Sequence, residues 1–147
     1  MSDPWLADIR VGDEFRACLV QNLGRAHIAQ YAGASGDFNS VHVDEVYATA
    51  EAGRASVIAH GMLTMGLTST FVTSLVGRGT LRYFGGRFLA PVEAGDTLRC
   101  LATVTEVVLE DGAVRSVSIE VETTSAADVV VFRGQASANG NRESGTT

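Results

Sequence analysis

From residue 114 onward, apolar and polar positions trade places one by one: Val117, Ile119 and Val121 alternate with Ser116, Ser118, Glu120 and Glu122. Successive side chains of a strand point to opposite faces, so this run predicts a strand with one wet face. The pair Asp111-Gly112 separates it from residues 98–109, and an Asp-Gly pair between two such runs signals a tight hairpin. Residues 80–89 and 129–138 read as two more strands, which makes four antiparallel strands in the C-terminal half. A further short strand is predicted at 14–20.

Elsewhere the period lengthens. Ile28, Tyr31 and Ala32 recur at helical spacing, and Gly33 and Gly36 punctuate the end of a predicted helix over 25–34. A second short helix is predicted at 44–52, with Asp44 as N-cap and a stop before Gly53. An irregular apolar stretch, 55–60, then leads into 61–76. There Met62, Met65, Leu67, Phe71, Val72, Leu75 and Val76 cover much of the circumference and Gly, Ser and Thr fill the rest. That pattern predicts a helix packed on most sides and enclosed by protein.

One long buried helix followed by a run of antiparallel strands is an α+β layout in which a curved sheet wraps the helix. The sheet edges and apolar face left over suit coverage by a second copy, so dimerisation is expected. Residues 1–138 read as a single domain and 139–147 as a polar, frayed tail.

With 147 residues, 46% hydrophobic, 19% charged and a formal charge of -6, the chain is sized for one core, and its acidic balance argues against nucleic acid or anionic membrane as a main partner. Cys18 and Cys100 lie far apart without CxxC spacing, which suggests neither a disulfide framework nor a zinc knuckle. A reducing cytoplasm is the simplest setting. Asp3 and Asp8 stand where a signal peptide needs basic residues. The segment 61–76 is shorter than the roughly 20 residues that cross a bilayer.

The chemistry concentrates in Gly36-Asp37-Phe38-Asn39-Ser40-Val41-His42, just after the first helix. Asp37 and Asn39 could simply cap a turn, since both side chains bond readily to nearby backbone. A calcium loop fails at Val41, His42 and Ala48, where an oxygen ligand, a glycine and a glutamate are needed. His27, His42 and His60 lack metal-ligand spacing, and no G-x-S-x-G elbow supports a serine hydrolase. The second element, Ile58-Ala59-His60-Gly61-Met62-Leu63, opens the long helix. A helix N-terminus offers unpaired N–H groups and partial positive charge, and glycine lets a carbonyl oxygen come close. An Asp/His pair beside such a terminus supplies a proton carrier and an oxyanion site, the two needs of chemistry alpha to a carbonyl.

Three stretches in order, "YAGASGDFNSVH", "VIAHGMLTMG" and "FLAPVEAGDTL", resemble the MaoC-like family of R-specific hydratases and dehydratases, whose fold is the hotdog. The resemblance spans about residues 10–138 and is similar in particular to the catalytic B-type subunit of (3R)-hydroxyacyl-carrier-protein dehydratases. It implies that Asp37 and His42 form the catalytic dyad, that Asn39 orients the dyad and its water, that the Gly61 N–H serves as oxyanion donor, and that Ser69 joins the polar network. It implies a coenzyme A or carrier-protein thioester as substrate, with Arg78, Arg82, Arg87 or a neighbouring subunit as candidate phosphate contacts. No metal and no organic cofactor is expected. The assembly it implies is a homodimer or a heterodimer with a non-catalytic hotdog subunit. Ser40 departs from the family's usual proline. A hotdog thioesterase and a non-catalytic acyl-binding subunit stay open as alternatives, though a structural subunit has no need of both Asp37 and His42.

Overall fold

The computed structural model describes residues 8–140. Among them five strands, β1 (Glu14–Val20), β2 (Leu81–Phe88), β3 (Leu98–Glu110), β4 (Ala113–Thr124) and β5 (Val130–Asn139), form one antiparallel sheet in the order β1-β3-β4-β5-β2. At the β3–β4 hairpin both turn residues adopt left-handed backbone, Asp111 at φ 54° and Gly112 at φ 80°, the conformation whose twist matches that of the flanking strands. The alternation in β4 buries Val117, Ile119 and Val121, which meet Cys100, Ala102 and Val104 of β3 and Phe132 of β5 in one apolar cluster. β5 runs one residue into the expected tail, and Gly140 N–H still donates to Arg115 O at 2.8 Å. The rest of that tail, 141–147, and the acidic start, 1–7, lie outside the described residues.

The helical elements are α1 (Arg25–Ser35), α2 (Ser40–Val43), a π-helical turn (Tyr47–Glu51) and α3 (Gly61–Val76). The expectation of an enclosed α3 needs correcting. Only Thr64, Thr68, Val72 and Val76 are buried, a single stripe four residues apart, while Met62 is 54% exposed. A stripe of that spacing is one helix face, and it rests on the sheet; among the described residues no element buries the opposite face. The stripe is also half polar. Thr68 Oγ1 donates to Thr64 O at 2.9 Å and pairs with Thr123 Oγ1 at 2.8 Å, which satisfies hydroxyls that would otherwise cost about 1–3 kcal/mol to bury.

The 44–52 segment starts as expected, with Asp44 Oδ1 accepting from Val46 N and Tyr47 N at 2.9 and 3.1 Å. It then widens: Ala52 N–H reaches back to Tyr47 O. Thr49 Oγ1 donates to Glu45 O at 2.8 Å, a side-chain donor that competes with the regular ladder, and the widened turn buries Ala48 fully.

Ala48 joins a second apolar cluster with Leu23, Ile28, Val57, Ala59, Val92, Leu98 and Val131. Burying a Leu or Ile side chain there contributes about 1.5–3 kcal/mol. The cluster holds residues 57–59 against 92–94, with Ala59 N–H donating to Val92 O at 2.7 Å and Ala94 N–H to Val57 O at 3.0 Å. That short pairing aims the chain into α3. Arg25 completes the frame: its guanidinium bonds Glu45 at 2.9 and 3.2 Å and Ser56 Oγ at 3.0 Å, and Glu45 accepts from Val57 N at 3.3 Å. No helix among the described residues is long and apolar enough to cross a membrane.

Candidate active site

Glycine ends α1. Gly36 takes φ 74° and its N–H donates to Ala32 O at 2.9 Å, a left-handed exit that costs glycine least. Ser35 Oγ then accepts from Asp37 N at 3.3 Å, Asp37 Oδ1 from Asn39 N at 3.2 Å, and Asn39 Oδ1 from Val41 N at 3.1 Å. The expected polar loop is therefore in part a helical turn, because Asn39 caps α2 and His42 sits on it. The turn-capping reading holds, and the caps are the scaffold that sets the Asp37–His42 spacing. Ser40 occupies the first helical position, where proline is favoured.

His42 Nδ1 lies 2.8 Å from Ile58 O. A carbonyl only accepts, so Nδ1–H donates, and in the neutral ring Nε2 keeps a bare lone pair. That Nε2 stands 4.0 Å from Asp37 Oδ2, with side-chain exposures of 12% for His42 and 56% for Asp37. The gap is too long for a direct bond, yet a single oxygen about 2.8 Å from each atom fits it.

Gly61 begins α3 behind its cap, His60 (φ −60°, ψ 136°). Leu63 and Thr64 N–H both turn to His60 O, while the Gly61 N–H has no acceptor among the described residues, as first-turn donors generally lack one within the helix. Gly61, His42, Thr64 and Phe88 line one cleft of about 400 Å³. The Asn39 side-chain oxygen is spent on α2, so any influence it has runs through the turn. Ser69 is not brought to this cluster. Its hydroxyl donates to Gly66 O at 2.9 Å, and eight residues of helix put it about 12 Å along α3 from Gly61.

Two residues escaped the sequence reading. Arg54 lines the same cleft, and none of the ion pairs among the described residues uses it. The arginines suggested instead, Arg78, Arg82 and Arg87, do not line the cleft; Arg87 faces a separate groove with Tyr83 and Arg133. The other is His60, considered only as a metal ligand although it directly precedes Gly61. It is 3% exposed, lies with Nε2 2.9 Å from Asp37 O, and stacks on His42 with ring centroids 3.8 Å apart at 26°. One atom each of Asp37, His42 and His60 fall within 4.8 Å of one another. Stacked rings, however, cannot turn their in-plane lone pairs onto one ion, so the trio does not fit a metal.

This fold agrees with what the chain is similar to. The MaoC like domain family matches residues 8–130. An (R)-specific enoyl-CoA hydratase of Rhodospirillum rubrum is 37% identical over 108 residues, covering 72% of this chain and 73% of that protein. The unliganded R-hydratase PhaJ1 of Pseudomonas aeruginosa superposes with a TM-score of 0.81 at 27% identity, over 94% of this chain and 86% of that one. The HadBC (3R-hydroxyacyl-ACP dehydratase) complex of Mycobacterium tuberculosis shares the fold at a TM-score of 0.70 and 20% identity, over 92% of this chain and 100% of that one. The chain belongs to the MaoC-like family, and its architecture is the α+β hotdog.

Proposed function

We propose that the chain is a hydro-lyase that adds water to trans-2-enoyl thioesters to give (3R)-3-hydroxyacyl thioesters, and runs the reverse dehydration. The observation that carries this reading is the 4.0 Å gap between His42 Nε2 and Asp37 Oδ2, two acceptors spaced for one water, beside the unpaired Gly61 N–H.

The chemistry follows from those atoms. A water in the gap donates one hydrogen to each acceptor and turns a lone pair outward, toward C3 of an enoyl chain. As the C3–O bond forms, one water proton passes to the dyad and the C2=C3 electron pair moves onto C2 and the thioester oxygen. The Gly61 N–H meets that enolate oxygen, a donor in place before the charge develops and so acting mainly on the transition state. The dyad then returns one proton to C2, which leaves the protein unchanged and the water's elements split between C2 and C3. Such acid–base help is worth about 10²–10⁴-fold. The thioester already activates C2, so no cofactor enters these steps.

Arg54 supplies a cationic contact at the cleft for the phosphate-bearing carrier, coenzyme A or carrier protein. The working form is a homodimer: a second copy covers the exposed face of α3 around Met62 and the free edge of β2, and its molar mass in solution tests this. A heterodimer with another hotdog subunit would instead show as a monomer that gains activity on mixing.

Crotonyl-CoA tests the reaction itself. Loss of enoyl absorbance without release of free thiol supports hydration; thiol release identifies a thioesterase.

A further inference from the structure

We infer that His60 is a positioning residue for this chemistry, one that fixes the Asp37–His42 gap and the Gly61 N–H from behind the cleft. The inference rests on the hydration reading for what the positioning achieves.

His60 touches all three parts of the site and is itself buried. Its ring nitrogen Nε2 is 2.9 Å from the main-chain oxygen of Asp37; a carbonyl only accepts, so Nε2–H is the donor and the tautomer is set. The bond crosses 23 positions of sequence and ties the Asp37 turn to the start of α3. Its ring face lies on the His42 ring at 3.8 Å, and Tyr31 backs it with ring centroids 5.0 Å apart. His42 is otherwise held in plane by one bond, Nδ1–H to Ile58 O, which leaves the ring free to pivot about that contact. The stack removes the pivot. Its backbone oxygen accepts from both Leu63 N and Thr64 N, so the same residue starts the helix whose first N–H is the oxyanion donor.

The remaining atom, Nδ1, is buried without any hydrogen-bond partner. Burying a polar atom unpaired costs about 1–3 kcal/mol, and an apolar ring of the same shape would avoid the cost. An imidazole at this position is therefore explained by its Nε2–H and not by packing. His60 is 3% exposed and spends its Nε2–H on Asp37 O and its ring face on His42, so it acts through Asp37 and His42.

The test uses the full chain and three variants. His60→Phe keeps a stacking ring and removes the donor; His60→Gln keeps a donor at similar reach and removes the ring; His60→Ala removes both. A displacement of about 1 Å in such a site costs up to about 10²-fold, so kcat on crotonyl-CoA is expected to fall about tenfold in each of the first two and toward 10²-fold in the third, with KM within about threefold. A residue that only packs would lower Tm and leave kcat alone. Equal kcat in wild type, His60→Phe and His60→Gln overturns the inference.

Histidine nitrogen NMR of the wild type reads the same idea without catalysis. His60 is expected as the Nε2–H tautomer and His42 as the Nδ1–H tautomer, with the His42 signals shifting in His60→Phe. A wild-type His60 in the Nδ1–H form overturns the inference even if every variant fails to fold. If the wild type hydrates no enoyl thioester, the proposed reaction fails, and the inference stands or falls on whether His60→Phe disturbs His42.

Discussion

The ring of Phe88, the last residue of β2, packs 3.1 Å from the point where a β-carbon on Gly61 would stand. That distance is tighter than an ordinary contact, so any side chain at 61 must move the ring. Phe88 is 47% exposed and can yield, toward the cleft it helps to line.

Gly61→Ala is therefore expected to fold with a modest loss of Tm and to lose about tenfold in kcat/KM, since the displaced ring crowds the Gly61 N–H, the proposed oxyanion donor. Adding Phe88→Ala to that variant should recover part of the loss. No recovery would mean that the glycine matters for backbone reasons alone. Steady-state kinetics of the two single variants and the double variant decide it.

Ser40 holds the first position of α2 behind an extended Asn39 (φ −53°, ψ 130°). An extended preceding residue accommodates proline, and the first helical N–H has no ladder partner to lose. Ser40→Pro should raise stability by about 0.4–1 kcal/mol, measured by denaturant melts, with crotonyl-CoA turnover retained. A loss of stability would place the Ser40 N–H in a bond that matters.

Arg54→Ala should raise KM for coenzyme A thioesters several-fold and change kcat little, because the side chain is assigned to the carrier and not to the reacting carbons. Turnover of a truncated pantetheine thioester should be nearly insensitive to the same change. Equal effects on both substrates would remove Arg54 from carrier binding.

Side-chain hydrogen bonding to Arg25 holds the Glu45 carboxyl below its ordinary value of 4.5; desolvation, the next-largest influence, opposes this, and the Val57 N–H, the Arg25 charge and Ser56 add to the lowering. A carboxyl depressed in the folded state contributes stability that is fully present above the unfolded value and is lost as pH falls through the folded one. The Tm difference between wild type and Glu45→Gln should thus be steady near neutrality and shrink on acidification below about 4.5. A difference that grows toward acid would contradict the assignment.

The two thiols should differ. Burial pushes Cys100 up to about 11, partly offset by a hydrogen bond with Thr123, whereas Cys18 is exposed. The thiolate is the reactive form, so an alkylating reagent should take one equivalent at Cys18 in the native protein and the second only on unfolding, as read by mass spectrometry.

Much of the fold was legible because its signals are local. Val117, Ile119 and Val121 alternate within one strand, and Asp111-Gly112 writes its own turn. The helix 61–76 was legible as a helix but not in its burial, since the pattern of Met62, Leu67 and Phe71 does not reveal that Thr64 and Thr68 face the sheet; the Thr68–Thr123 bond that permits this spans 55 positions. The proposed dyad stood out because Asp37 and His42 are five residues apart on one capped turn. Ser69 shares a helix with Gly61 but lies two turns beyond it. His60 and Arg54 were missed for the same reason. Their roles come from contacts made only when residues 54–60 fold against the turn after α1, and a buried histidine before a glycine carries no period or spacing of its own.

Hydration of crotonyl-CoA in heavy-oxygen water, followed by mass spectrometry, tests the shared water between Asp37 and His42 most directly. Wild type should place one heavy oxygen on C3 of an intact (3R)-hydroxyacyl thioester, with the rate falling about 10²–10⁴-fold in Asp37→Asn and in His42→Ala. Heavy oxygen in a free carboxylate, or undiminished labelling of C3 in either variant, would contradict it.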